Sequence, residues 1–222
     1  MPTTEPDPIA TDNAVSGEEH PVLTERLARE QPLEGLPPLV QTPSQTVGPF
    51  FGFSLPYDGG PELVPPASPG SVRLHGTVRD GAGTPVPDAI IELWQPDADG
   101  RMVQEPGSRH RARGVFTGFG RAAVDAGGHY EFTTVVPGAT GDGPRWALLT
   151  LFARGLAHHL FTRAYFVAEG EAEPTDSLLS GVAEDRRGTL LARQDTATSY
   201  RFDITLQGEG ETVFLDYPAA AR

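Results

Sequence analysis

The sequence predicts an all-β fold, a single-domain β-sandwich of about eight strands with an N-terminal arm and one short helical insertion. Glycine and proline, with 26 and 22 copies, make up about a fifth of the 222 residues. That share is typical of short strands joined by tight turns. Several segments also alternate apolar and polar residues with the period of two that a half-buried strand requires, and turn signals separate these segments.

The strand pattern begins at residue 71 and continues almost to the C-terminus. Residues 71–79 alternate cleanly, with Leu74 on the apolar face and His75 on the polar face. The same criteria predict further strands at residues 89–94, 119–124, 129–135, 146–153, 160–166, 200–206 and 212–217. Between the third and fourth strands, the turn sequence DAGG at 125–128 predicts a hairpin.

The chain divides into a tail, an arm with its connector, and the sandwich. Residues 1–41 are acidic and predict a largely flexible tail, with a candidate short helix at 22–29. Residues 42–70 form a docking arm and a Pro/Gly-rich connector, and residues 71–222 form the β-sandwich. Inside the sandwich, residues 175–193 predict the helical insertion, with these apolar positions: Leu178, Leu179, Val182, Leu190 and Leu191.

The composition excludes several classes of function. A formal net charge of -13 argues against nucleic acid or an anionic membrane as the main partner. The absence of cysteine excludes disulfides, thiolate metal sites and a cysteine nucleophile. The sequence contains neither a membrane-spanning apolar run nor the basic and apolar stretches of a signal peptide, so the expected location is cytoplasmic.

The arm sequence TPSQTVGPFF at 42–51 is the most informative segment of the chain. Its prolines fix φ and remove backbone donors, and Gly48 permits close approach. A segment this rigid is expected to dock onto another surface. Three phenylalanines, Phe50, Phe51 and Phe53, are candidates for an apolar patch that the unpaired chain exposes.

Five motifs follow one another along the chain: TPSQTVGPF at 42–50, IELWQPDADG at 91–100, GFGR at 118–121, LFARG with TRAYF within 151–166, and YRFDITLQGEGETVFLDY at 200–217. Through these motifs the chain resembles the intradiol ring-cleaving dioxygenases, in particular the alpha subunits of the protocatechuate 3,4-dioxygenases. The resemblance implies cleavage of protocatechuate with O₂ between its hydroxylated carbons, giving 3-carboxy-cis,cis-muconate for the β-ketoadipate route of aromatic degradation. It also implies a hetero-oligomer in which a homologous beta subunit holds Fe(III) and the active site lies at the boundary between the two chains.

The resemblance aligns the family's iron ligands, two tyrosines and two histidines, with Met102, Thr140, Leu148 and Thr150. Ferric iron prefers hard anionic oxygen ligands completed by imidazoles. A thioether and two hydroxyls cannot replace that set. We therefore expect no metal and no catalytic residue in this chain, with Fe(III) in the beta subunit and the isolated chain inactive.

The resemblance carries substrate-binding roles to five residues: Thr46, Gly48, Pro49, Phe50 and Arg154. An arginine can fix the carboxylate of an aromatic acid through charge-assisted hydrogen bonds, while Pro49 and Phe50 exclude water. Phe50 stands where a tyrosine is common in the family, so it lacks the hydroxyl. The expected partners are the beta subunit, a small aromatic acid and O₂, with no nucleic acid and no membrane.

Each assignment has a structural alternative. Arg154 could form an ordinary surface ion pair, and Thr46 could serve subunit docking alone. Arg163 is a rival to Arg154, although alternation along its strand favours a structural ion pair. His158 and His159 are adjacent, so on extended backbone they point to opposite faces and cannot readily share a metal ion.

Two other functions remain open from the sequence. One is a non-catalytic β-sandwich binding or interaction module that keeps the dioxygenase fold without its chemistry. The other is a single-chain dioxygenase whose iron site would use Tyr130, Tyr165 or His158. A neighbouring coding sequence that carries the tyrosine and histidine ligands would favour the alpha-subunit interpretation over the binding module.

Overall fold

A computed structural model describes residues 42–103 and 115–217; the candidate helix at 22–29 lies outside these ranges. The described elements are α1 (Phe51–Ser54), β1 (Ser71–Arg79), β2 (Ile90–Trp94), β3 (Phe119–Ala123), β4 (His129–Val135), β5 (Trp146–Phe152), β6 (Leu160–Val167), α2 (Ser177–Ser180), α3 (Glu184–Arg187), a 3-10 turn (Gly188–Leu190), β7 (Leu191–Thr196), β8 (Ser199–Arg201) and β9 (Ile204–Thr205). None of these helices is long and apolar enough to cross a membrane.

The strands form one sheet in the order β3-β2-β5-β6-β7-β8-β1-β4, with β9 beside β1. Most neighbours are antiparallel, whereas β7 is parallel to β6, and β8 and β9 are parallel to β1. The sheet folds over on itself, because a single core joins Leu93 and Leu149 from one half to Leu74 and Phe132 from the other. The predicted all-β sandwich is therefore confirmed.

The connector after the arm is built into this sheet. The Gly60 carbonyl accepts a hydrogen bond from the Arg121 N–H of β3 at 2.8 Å, and the Leu63 N–H donates to the Thr133 carbonyl of β4 at 2.8 Å. Leu63 is only 1% exposed and belongs to the core. The turn predicted at 125–128 is confirmed, since the Asp125 N–H donates to the His129 carbonyl at 2.9 Å. The predicted pairing of the two flanking strands as a hairpin is wrong, because the connector lies between β3 and β4, which pair with β2 and β1 instead.

The helical insertion is shorter than the predicted range 175–193. It consists of α2, α3 and the 3-10 turn, and α2 begins where the Asp176 carboxylate accepts the Leu179 N–H at 2.8 Å. Residues 191–193, which the prediction placed in the helix, begin β7. All five predicted apolar positions pack into a second small core beside β6 and β7, where Leu179, Leu190 and Leu191 are buried and Leu178 and Val182 are partly buried.

The last two strand predictions also need correction. Residues 200–206 divide into β8 and β9, because the Asp203 carboxylate takes the Thr77 N–H at 2.9 Å and interrupts the backbone ladder. Residues 212–217 form no strand, and their pairing is limited to an isolated bridge between Leu215 and β6.

Candidate functional site

The arm runs along the turn that joins β5 to β6. The hydroxyl of Thr46 accepts a hydrogen bond from the Gly155 N–H at 2.7 Å. Two residues earlier, the Ser44 hydroxyl lies 3.1 Å from Nε2 of His158. Val47 lines a groove of about 190 Å³ together with residues of the same turn. The arm thus contacts its own sandwich domain through polar anchors before it reaches the phenylalanines.

The turn after β5 presents Arg154 to the outside. Gly155 has a φ of 92°, a left-handed conformation that favours glycine, and the Leu156 N–H closes the turn on the Ala153 carbonyl at 3.3 Å. Ala153 is 1% exposed and faces the core, whereas the side chain of the next residue, Arg154, is 58% exposed. The arginine therefore stands beside the hydrogen bond that anchors the arm at Thr46.

Arg154 forms an ion pair with Asp88, to whose Oδ2 its Nε donates. The pairing of β2 with β5 matches Ile90 with Phe152, so continuing that register beyond the strand ends brings Asp88 opposite Arg154. Within residues 42–103 and 115–217 the arginine has no other ion pair or hydrogen bond through its side chain. Its two terminal nitrogens are therefore not engaged by the described part of the chain.

The remaining predicted site residues follow the anchor. Gly48 and Pro49 are exposed, and a Cβ added at Gly48 would meet nothing within 4 Å. Phe50 is 75% exposed and Phe53 is 85% exposed. Phe51 is only 9% exposed, so its predicted place in an exposed patch is wrong, because α1 turns it inward while its neighbours stay outside. The described residues show no contact between Phe50 and Arg154.

Arg121 fixes the far end of the arm, a role that the sequence did not suggest. Its NH1 donates to the Leu55 carbonyl at 2.9 Å, just after α1, and its Nε donates to Glu92 at 2.9 Å. Its guanidinium also lies 5.7 Å from the centre of the Tyr57 ring. The GFGR motif was the available signal, but the partner of its arginine is 66 residues away in sequence. The arm is therefore held at one end through Ser44 and Thr46 and at the other through Leu55.

Two positions aligned with iron ligands lie in the middle of β5. Leu148 and Thr150 share its half-buried outer face, where Leu148 pairs with Arg163 of β6 and Thr150 pairs with Phe161. The guanidinium of Arg163 brings a positive charge to this face. An apolar side chain and a hydroxyl beside a cation do not suit ferric iron.

The other two aligned positions follow two turns that touch one another. A Cβ at Gly100 would lie 2.0 Å from the carbonyl oxygen of Ala139, so the turns before Met102 and Thr140 are in direct contact. Met102 and Thr140 offer a thioether and a hydroxyl, which again do not fit Fe(III). In the part of the chain that the structure describes, no group of three or more His, Cys, Asp or Glu residues could hold a metal ion.

Arg163 forms the structural ion pair that alternation predicted. Its NH1 lies 3.6 Å from the Asp176 carboxylate, and its guanidinium lies 4.1 Å from the centre of the Trp146 ring. The Tyr165 hydroxyl donates to the same carboxylate at 2.7 Å. The Nε of Arg163 is buried and has no partner in the described residues. This arginine ties α2 to the sheet.

The proposed tyrosine ligands of a single-chain iron enzyme are engaged elsewhere. The Tyr130 hydroxyl donates to the Phe202 carbonyl at 2.5 Å, and Tyr165 binds Asp176. Burial raises the pKa of both phenols, aided at Tyr130 by the charge of Asp203 and at Tyr165 by its hydrogen bond to Asp176. Tyrosinate is therefore disfavoured at both positions, which lie on the non-adjacent strands β4 and β6.

Comparison with known proteins agrees with the fold. A family model described as Dioxygenase matches residues 48–208. The protocatechuate 3,4-dioxygenase alpha chain of Pseudomonas putida is 39% identical over 208 residues, which cover 84% of this chain and 100% of that one. The protocatechuate 3,4-dioxygenase beta chain of Burkholderia cepacia is 32% identical over 157 residues, covering 64% of this chain and 66% of that one.

A solved structure supports the fold independently. The dioxygenase domain of a dioxygenase carbohydrate-binding fusion from Streptomyces sp. SirexAA-E superposes with a TM-score of 0.50 at 24% identity. The match covers 76% of this chain and 99% of that domain. At this identity the likeness speaks for the fold alone. Sequence and fold together assign the chain to the intradiol ring-cleavage dioxygenase family.

Proposed function

We propose that this chain is the alpha subunit of a protocatechuate 3,4-dioxygenase and binds no iron itself. One observation carries the proposal: an anchored arm lies beside an arginine whose terminal nitrogens have no partner among the described residues, while the positions aligned with iron ligands cannot hold ferric iron. The identity to the P. putida alpha chain over that chain's whole length supports it. A free binding module would have no evident need for this arrangement.

The part that this chain plays is recognition of the substrate. Protocatechuate carries a carboxylate, and the terminal nitrogens of Arg154 can donate two parallel hydrogen bonds to it. The chain has a net charge of -13, so a local cation is needed to hold an anionic substrate. Pro49 and Phe50 exclude water from the site, and Gly48 leaves room for close approach.

The beta subunit carries Fe(III) in this proposal, and the metal supplies the ring-opening chemistry with O₂ when it is bound there. The partner chain is homologous to this one, and the two associate in a larger hetero-oligomer. Phe50 and Phe53 contribute apolar area to that interface, since both stand exposed between the two anchors of the arm. The proposal keeps the predicted cytoplasmic location and the predicted division into tail, arm with connector, and sandwich.

The test is to purify the chain alone and together with a beta-type chain that carries the tyrosine and histidine ligands. Iron content and protocatechuate-dependent O₂ uptake are measured for both preparations. We expect iron and activity only in the complex. Stoichiometric iron and turnover by the chain alone would contradict the proposal, and failure to form any complex would favour the binding module.

The role of Arg154 is tested in the same complex. Arg154→Met keeps the length of the side chain but removes the charge, so KM for protocatechuate should rise by about tenfold to a hundredfold. Arg154→Lys keeps the charge but loses the planar fork, so its KM for protocatechuate should lie between those of the wild type and of Arg154→Met. An unchanged KM in Arg154→Met would show that Arg154 does not bind the substrate.

A further inference from the structure

Asp88 is held in place by the backbone on both of its sides. Pro87 precedes it and restricts φ, and Ala89 follows it with 1% exposure. The Ala89 carbonyl accepts the Val124 N–H at 3.1 Å, so the chain is fixed to β3 immediately after the aspartate. The carboxylate itself is more buried than its partner, with a side-chain exposure of 23% against 58% for Arg154.

The backbone of Arg154 is held in the same way. Ala153 is buried against the core, and Gly155 is tied to the arm through the hydroxyl of Thr46. Both residues of the pair therefore stand at fixed points just beyond the paired ends of β2 and β5. What is left free is the long side chain of the arginine, which has several rotatable bonds and would sample many rotamers alone.

The contact uses one edge of the guanidinium. Asp88 accepts from Nε, whereas NH1 and NH2 have no partner in residues 42–103 and 115–217. A guanidinium presents five donors in a planar fork, so a carboxylate on Nε orients the whole plane and leaves donors at its other end. We propose that Asp88 is a positioning residue, which orients Arg154 so that its terminal nitrogens face the carboxylate of the substrate.

This inference rests on the proposed function, since it requires that Arg154 contacts substrate. It predicts an effect that depends on the carboxylate of the ligand. Asp88→Ala frees the arginine, so in the alpha–beta complex KM for protocatechuate should rise about tenfold while kcat changes by less than about twofold. Catechol has the same two hydroxyls but no carboxylate, so its KM, or its inhibition constant if turnover is slow, should stay within about twofold.

Asp88→Asn provides the conservative variant. Its amide oxygen can still accept from Nε, so KM for protocatechuate should lie much closer to the wild-type value than in Asp88→Ala. The double variant Asp88→Ala with Arg154→Met should be no worse than Arg154→Met alone, because the aspartate acts through the arginine. Iron content and co-purification with the beta chain show that each variant still assembles.

The outcomes separate this inference from the proposed function. A rise in KM for protocatechuate alone, absent from catechol and absent in the Arg154→Met background, supports positioning. An equal effect on both ligands, or no effect of Asp88→Ala where Arg154→Met does raise KM, overturns it and leaves the proposed function standing. An Arg154→Met variant with unchanged KM overturns both the substrate role of the arginine and the inference built on it.

Discussion

Strand β5 carries two contrasting environments within a few residues. In its middle, Leu148 and Thr150 lie on a half-buried face opposite Arg163 and Phe161 of β6. Beyond its end, Arg154 stands exposed in a turn and keeps its terminal nitrogens free of described partners. The same scaffold therefore supports packing at one place and presents an exposed arginine at the other, and the side chains alone decide which.

The two arginines make the contrast concrete. Arg163 is 20% exposed, stacks on Trp146 and pairs with Asp176 through NH1, so its charge serves the fold. Arg154 is 58% exposed and, among residues 42–103 and 115–217, bonds through Nε alone. An arginine whose charge is consumed by a half-buried network contributes to stability, whereas one held by a single edge can bind a further anion.

The largest effect is expected from placing metal-ligand side chains in the middle of β5. The double variant Leu148→His with Thr150→His puts two imidazoles on a half-buried face beside Arg163, which should lower the free energy of unfolding by about 2–3 kcal/mol. It should bind no stoichiometric iron, because Met102 and Thr140 supply no tyrosinate. Urea unfolding and metal analysis of the purified chain measure both.

Phe53→His is the matched control for that variant. Phe53 is 85% exposed, so an imidazole there remains hydrated and should change stability by less than about 0.5 kcal/mol. The opposite result would be stoichiometric iron in the double variant without loss of stability. It would show that the middle of β5 can hold a metal once histidines are present. The contrast between the packed middle of β5 and the exposed turn after it would then disappear.

The next effect separates the two arginines. Arg163→Met leaves Asp176 without its ion pair and should lower the free energy of unfolding by about 1–2 kcal/mol, with little change in KM. Arg154→Met removes an exposed pair, so it should change stability by less than about 1 kcal/mol while raising KM. Chemical denaturation and steady-state kinetics of the complex check the two variants side by side. A rise in KM from Arg163→Met alone would reverse the assignment.

The sequence predicted strands well wherever one face is buried. Residues 71–79 form β1 with the predicted alternation, because burial of Leu74 and Val78 fixes the register. The alternation pattern failed where the structure depends on which strands pair with one another. A turn sequence at 125–128 specifies a reversal of the chain but not which strands will pair, and the segment at 60–64 enters between them. β7 was not predicted because its first residue, Leu191, fits a helical period together with Leu190 just before it.

The residue types of the candidate site were predictable from the sequence, but the contacts between those residues and their distant partners were not. The resemblance named Thr46 and Arg154, and the structure brings the hydroxyl of Thr46 to the residue after Arg154. Neither Asp88 nor Arg121 was singled out, because each acts through a partner 66 residues distant in sequence. Periodicity reports which face a side chain occupies, and it carries no information on such distant contacts.

A smaller effect concerns the network on β6. Tyr165→Phe removes the hydroxyl that donates to Asp176, and should lower the free energy of unfolding by about 1 kcal/mol at neutral pH. Burial, followed by this hydrogen bond, raises the pKa of Tyr165 above the ordinary phenol value. The folded state thus retains the proton where the unfolded chain loses it, so this contribution is complete below about pH 10 and is lost as pH rises further.

The variant should therefore show a shallower loss of stability above about pH 10 than the wild type. The slope will not vanish, since burial also raises the pKa of Tyr130 and Tyr200. Urea unfolding at several pH values between neutral and strongly alkaline measures the difference. Identical slopes for the two proteins would show that Tyr165 does not titrate with unfolding.

The smallest effect on stability is expected at the anchor of the arm, where the effect on function should still be visible. Thr46→Val keeps the shape of the side chain but removes the acceptor for the Gly155 N–H, which is exposed enough to bind water instead. The free energy of unfolding should change by less than about 0.5 kcal/mol. Thr46→Ser keeps the acceptor and serves as the control.

In the complex, loss of this anchor leaves the start of the arm held by the bond between Ser44 and His158, and its far end held at Leu55. Phe50 therefore gains freedom, and the residue after Arg154 loses its hydrogen bond to the arm. We therefore expect a several-fold rise in KM for protocatechuate in Thr46→Val and almost none in Thr46→Ser. Thermal unfolding and kinetics of the two variants decide whether the arm serves substrate recognition or the stability of the fold. A recognition segment on a surface makes few buried contacts, so its loss should affect binding more than stability. A large loss of stability in Thr46→Val without a change in KM would therefore make the arm part of the fold rather than of the site.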